Sequence, residues 1–157
     1  MEVIVMKTFG AKGAIRLVLI LVGGIGVIYG IGAKPLAATF TPTTELKWHQ
    51  SPIPGGVTIS PVAGEIMKGE HVTYVRFPAG TKIPMHVHST DYIGIVISGN
   101  MRHPVKGKPS TDVQLPPGSH WSIPAGLEHQ TECLEGLECV AVMIQKDHFD
   151  YELTTSK

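Results

Sequence analysis

From about residue 57 onward the chain alternates apolar and polar positions in short runs, each cut off by Gly, Pro, Asn or Asp. The runs read VTISPVAGEI, HVTYVRFPAG, KIPMHVHS, YIGIVISGNMRHPV, DVQLPPG, HWSIPAG, EHQTEC and ECVAVMIQ. A period of two with Val, Ile, Thr and aromatic residues is the mark of half-buried strands, because successive side chains leave a pleated backbone on opposite faces. No stretch after residue 40 goes far enough without Gly or Pro to predict a helix of ordinary length. Roughly eight short strands in about 110 residues predict an all-β fold, a small antiparallel sandwich or barrel of the jelly-roll kind.

The pattern before residue 57 is different. Lys7, Lys12 and Arg16 precede LVLILVGGIGVIYGIGA, an uncharged apolar run from Leu17 to Ala33, and small residues follow in KPLAATF. A basic start, an apolar middle and a small-residue end predict a signal peptide over residues 1–38, cleaved after Ala38. An uncleaved membrane anchor is the alternative, since a bilayer span needs about 20 apolar residues. The expected location is therefore periplasmic or secreted, with membrane contact only through an uncleaved N-terminal segment. Residues 39–56, TFTPTTELKWHQSPIPGG, predict an extended arm with one short strand near Leu46–His49. The barrel is expected over residues 57–157.

Charge narrows the function. The whole chain balances 13 Lys+Arg against 13 Asp+Glu. Setting aside Lys7, Lys12, Arg16, Lys34 and Glu2 leaves nine basic residues against twelve acidic ones. A mildly acidic chain with no basic cluster argues against nucleic acid as a partner.

The candidate chemistry lies in GTKIPMHVHSTDYIGIVISG, Gly80 to Gly99. Residues two apart in a strand share a face, with alpha carbons about 6.6–6.8 Å apart, so His86 and His88 point the same way and Val87 the other. Two such imidazoles can converge on one ion. A second block, GSHWSIPAGLEHQTEC, spaces Gly118, Pro124, Gly126, His129 and Cys133. Parity places Thr131 and Cys133 on the face of His129, and Gly94, Val96 and Ser98 on that of Tyr92. On the last strand either Val140, Val142 and Ile144 or Ala141, Met143 and Gln145 face inward. Asp91 and Glu128 each lie one residue out of register with the histidines, which suits a rim position. Trp121 and Ile123 are expected inward and His120 outward. His49, His71, His103 and His148 have no partner at ligand spacing and are expected at the surface. Cys133 and Cys139 flank LEGLE, a hairpin turn around Gly136, with three readings open: a disulfide, two buried thiols, or Cys133 as a sulfur near a metal.

The two blocks together resemble the paired motifs of the cupin superfamily, small jelly-roll barrels that commonly hold one metal ion. The glycines, the first-block histidines, the Pro-x-Gly turn and His129 match, and the resemblance covers Gly80 to about Gln145. It departs at Tyr92, where the family usually has a glutamate, and at Cys133, where it usually has an asparagine. The tyrosine and its surroundings are similar to those of small exported single-domain cupins. The resemblance implies His86, His88 and His129 as ligands of one divalent transition metal ion (Fe, Zn, Mn, Ni or Cu) and an open position beside it. Tyr92 is then the candidate catalytic residue, as a ligand, a general base or a hydrogen-bond donor. The expected function is a metal-dependent enzyme, dioxygenase- or lyase-like, acting on a small anionic organic molecule. The alternative is a non-catalytic periplasmic ligand- or metal-binding sensor. A homodimer is expected, with the arm and Trp48 extending a neighbour's sheet.

Overall fold

The computed structural model describes residues 38–154, together with the backbone of two short paired strands, β1 (Lys7–Phe9) and β2 (Ile15–Leu17). The rest of the expected signal segment lies outside the described residues. Among those described, no helix is long and apolar enough to cross a membrane. The chain divides into two compact units, Met1–Thr39 and Phe40–Lys157.

The second unit is built from β3 (His49–Gln50), β4 (Thr58–Gly64), β5 (His71–Phe77), β6 (Lys82–Val87), β7 (Tyr92–Ser98), β8 (Met101–Arg102), β9 (His120–Ile123), β10 (His129–Cys133), β11 (Cys139–Gln145) and β12 (Glu152–Leu153). Single 3-10 turns stand at Thr43–Glu45 and Pro109–Thr111. The strands form a six-stranded sheet in the order β3-β4-β5-β11-β7-β9 and a four-stranded sheet in the order β12-β6-β10-β8. All pairings are antiparallel.

The period-two pattern decides which side chains the two sheets enclose. On β5, His71, Thr73, Val75 and Phe77 are buried while Val72, Tyr74 and Arg76 are half-buried on the other face. On β11 the buried set is Cys139, Ala141, Met143 and Gln145, which settles the parity that the sequence left open. On β7 it is Tyr92, Gly94 and Val96. The core is therefore continuous from Val57 and Ile59 through Val75, Ile83, Val96 and Met101 to Ile123. Burying one such side chain fully is worth about 1.5–3 kcal/mol, so the apolar shell rather than any polar contact holds the barrel.

The arm contributes to this core. Ile53 is buried, Ser51 donates its N–H to Val57 O at 3.0 Å, and β3 pairs with β4 of its own sheet. Trp48 carries the Arg76 guanidinium over its ring at 4.2 Å.

Cys133 and Cys139 form a disulfide, with alpha carbons 5.7 Å apart. It joins the end of β10 in the smaller sheet to the start of β11 in the larger one, so the tight turn around Gly136 is also a covalent link between the layers. Cys133 is thereby removed as a free sulfur near a metal.

Candidate metal centre

The β6 and β10 strands explain how two separate histidine blocks become one cluster. His129 stands directly across from His86 in the antiparallel pair β10–β6. His88 lies two residues further along the same face as His86, and both are buried with Val87 only half-buried. The ring centroids are 4.2 Å apart for His86–His129, 5.0 Å for His86–His88 and 5.3 Å for His88–His129. One ring nitrogen from each lies within 4.8 Å of the other two.

The outer nitrogens show which ones converge. Nδ1 of His86 faces Pro84 O at 2.7 Å, Nδ1 of His129 faces Leu127 O at 2.7 Å, and Nδ1 of His88 faces Asp150 O. A carbonyl oxygen can only accept, so each Nδ1 carries the proton and donates it. Three bare Nε2 lone pairs are left at the centre. Metal-ligating histidines are held in this way, their second nitrogen fixed by a carbonyl or carboxylate. Burial, with the neighbouring imidazoles adding to it, pushes His86 down to about 3. Burial likewise takes His129 to about 4, against the Leu127 hydrogen bond. His88 is also lowered by burial. All three are neutral at neutral pH, the state a cation needs in its ligands.

Tyr92 closes the cluster from the larger sheet. It is buried, and its hydroxyl lies 3.0 Å from His129 Nε2 and 2.8 Å from His103 Nε2. Burial raises its pKa well above the ordinary phenol value, so the hydroxyl keeps its proton. Asp91 and Glu128 do not join the cluster. The Asp91 carboxylate accepts from Ala125 N–H at 2.7 Å and Glu128 from Lys106 Nζ at 2.7 Å, both on the barrel rim. Among the described residues the ligand set is three imidazoles with no carboxylate.

Two expectations about histidines were wrong. His103 and His71 are buried, not at the surface. His103 stacks on Trp121 at 4.5 Å and 22°, stands 4.7 Å from the His129 ring and accepts or donates at both nitrogens, to Tyr92 and to Thr131 Oγ1 at 3.1 Å. Its neighbours come from β7, β9 and β10, so no local spacing in the sequence announced it. His71 is enclosed by Thr73 and Gln145. His49, His120 and His148 are exposed as expected.

The C-terminal segment was not singled out from the sequence, yet it seals the site. Phe149 is buried and holds Ile66 O with its N–H at 2.7 Å, while β12 pairs with β6 opposite His86. Tyr151 lies 5.0 Å from the His86 ring. Gly94 shapes the opposite wall. A Cβ there would sit 2.1 Å from the Trp121 ring, so only glycine lets the indole lie across β7 and reach His103.

These walls enclose a cavity of ≈ 30 Å³ bounded by Phe77, Ile83, Met143 and Phe149 on the apolar side and by His86, His88, Tyr92 and His103 on the polar side. That is room for an ion and about two waters.

Comparison with known proteins agrees with this architecture. Residues 37–148 match the family model of the ChrR cupin-like domain. The chain belongs to that family of cupins. Among solved structures it is similar to KdgF from Halomonas sp., at 25% identity and a TM-score of 0.55 over 69% of this chain and 94% of that one. It is also similar to the polyketide cyclase RemF from Streptomyces resistomycificus, at 16% identity and a TM-score of 0.62 over 77% of this chain and 88% of that one. The anti-sigma ChrR of Rhodobacter sphaeroides, in complex with SigE, aligns at 21% identity and a TM-score of 0.51 over 67% of this chain and 51% of that one. No curated protein matches the chain.

Proposed function

We propose that this cupin is an exported metal-dependent enzyme, of dioxygenase or lyase type, acting on a small anionic organic molecule. The observation that carries the reading is the set of three buried imidazoles whose Nδ1 protons are all committed to backbone carbonyls. The His129 lone pair accepts from Tyr92 in the metal-free protein, while those of His86 and His88 face the cavity with no side-chain donor among the described residues. The depressed basicity of His86 and His129 disfavours a proton there, which leaves the set suited to a cation. The donor set suits Fe, Zn, Mn, Ni or Cu. A metal held by three neutral imidazoles keeps its full dipositive charge, attracts an anion and polarises a bound oxygen.

The chain's own residues supply the rest. Tyr92 offers a neutral hydroxyl beside His129 Nε2, able to donate a hydrogen bond or a proton to an oxygen held at the cluster. Trp121 lines the cavity and its buried Nε1–H stands beside the Tyr92 hydroxyl, a further donor on the wall. Phe149 and Met143 exclude bulk water, which strengthens these polar contacts. The cavity suits a small reacting group at the cluster. The disulfide supports an oxidising compartment, periplasmic or extracellular. A homodimer is part of the proposal, although β3 is engaged with β4 of its own sheet.

The test is elemental analysis of untagged protein from its native compartment, followed by an aerobic screen of small carboxylates with oxygen uptake and product both recorded. Stoichiometric metal with turnover supports the enzyme. Stoichiometric metal without turnover of any member of the screen favours the sensor reading, and protein without metal removes both.

A further inference from the structure

A four-residue chain of hydrogen bonds enters the cluster from the side away from His86 and His88, and donor counting fixes its direction. His129 Nδ1 spends its proton on Leu127 O at 2.7 Å, so its Nε2 is bare. Tyr92 Oη lies 3.0 Å from that bare nitrogen, so the phenol is the donor there. A phenol has one proton. The second contact of Tyr92 Oη, His103 Nε2 at 2.8 Å, must therefore donate to the phenol oxygen. A neutral imidazole has one N–H, which leaves His103 Nδ1 bare, and the Thr131 hydroxyl at 3.1 Å donates to it. Thr131, His103, Tyr92 and His129 are all buried, away from bulk solvent.

We infer that His103 and Thr131 are positioning residues, which hold the phenol of Tyr92 with its O–H turned toward the three-imidazole cluster. The reverse chain, with the phenol donating to His103 and His103 Nδ1 donating to Thr131, would present a bare oxygen to the cluster instead. The two arrangements differ in what Tyr92 can do: donate to a bound anion in the first, bind a cation in the second. In metal-free protein the first direction is fixed by Leu127 through the bare Nε2 of His129. Trp121 stacked on its face sets the plane of the His103 ring, and Thr131 Oγ1 supplies the matching donor at its far nitrogen. The purpose of the chain rests on the metal-enzyme reading, but its direction does not.

The test is nitrogen NMR of the histidine side chains in intact protein, in which protonated and bare ring nitrogens are separated by chemical shift. In metal-free protein His103 should carry its proton at Nε2, while His86, His88 and His129 carry theirs at Nδ1. Addition of Zn(II) should move the Nε2 resonances of His86, His88 and His129, as a cation takes their lone pairs. Thr131→Val should move the His103 Nδ1 resonance further toward an unbonded nitrogen, and Thr131→Ser should return it. A His103 proton found at Nδ1 in metal-free protein overturns the inference, as does a His103 spectrum indifferent to Thr131→Val. Protein that retains no zinc but shows the expected metal-free pattern would refute the metal reading and leave the chain intact.

Discussion

Replacing Tyr92 with phenylalanine separates the roles open to the phenol. In the metal-free protein the Tyr92 hydroxyl donates to His129 Nε2 at 3.0 Å, and a cation that takes this lone pair must break the bond. A hydrogen bond of this kind contributes about 0.5–1.5 kcal/mol net. Tyr92→Phe removes that competitor without touching the three imidazoles. The other partner, His103 Nε2, loses its acceptor in both the free and the loaded protein, so this cost cancels in the affinity. Zinc should therefore bind the variant up to about tenfold more tightly, less whatever the native phenol regains by donating to a bound oxygen. The assay is competition against a chromophoric chelator at fixed ionic strength. Weakening by more than about tenfold would mean that the phenol oxygen is itself a ligand, and the reasoning that keeps it as a donor would fail.

Other consequences follow from the packing. Gly94→Ala should force the Trp121 ring off His103, since the new Cβ would lie 2.1 Å from ring carbons; overpacking of about 1–3 kcal/mol should appear in denaturant melts, with a shifted tryptophan emission. Unchanged emission would mean that the wall yields elsewhere. The paired substitutions Cys133→Ala and Cys139→Ala should cost about 2 kcal/mol, the figure for so short a closed loop, by thermal melting under non-reducing conditions. A melt equal to wild type would show that the bridge is not formed. In metal-free protein His86 and His129 sit at about 3 and about 4 when folded, below the ordinary histidine value near 6.5. Their stabilising contribution is complete above pH 6.5 and is lost as pH falls from there toward 3–4, at about 1.4 kcal/mol per pH unit for each imidazole. Urea midpoints flat between pH 6.5 and 5 would contradict this.

What the sequence disclosed depended on whether the signal was local. His86 and His88 were visible because a strand repeats every two residues, and His129 because its block carries its own Pro-x-Gly turn. The inward set of β7 followed from the same alternation as far as Val96. On β11 alternation narrowed the choice to two sets without deciding between them, and Trp121 was placed inward correctly. His103 was misjudged because Met101–Arg102 is too short a strand to show a period, and its contacts come from residues far along the chain. Phe149 and Tyr151 were missed for a related reason: they lie in an irregular strap whose docking on β6 depends on the finished barrel. The disulfide stayed open until the turn geometry was known, since spacing alone fits paired and free thiols equally.

The most direct measurement is metal content by mass spectrometry on untagged protein, wild type beside His129→Ala. One equivalent of a first-row transition metal is expected in the wild type and near none in the variant, with both chains folded by circular dichroism. Wild-type protein that emerges folded and without metal, and takes up none from a mixture of Fe(II), Zn(II), Mn(II), Ni(II) and Cu(II), would contradict that expectation.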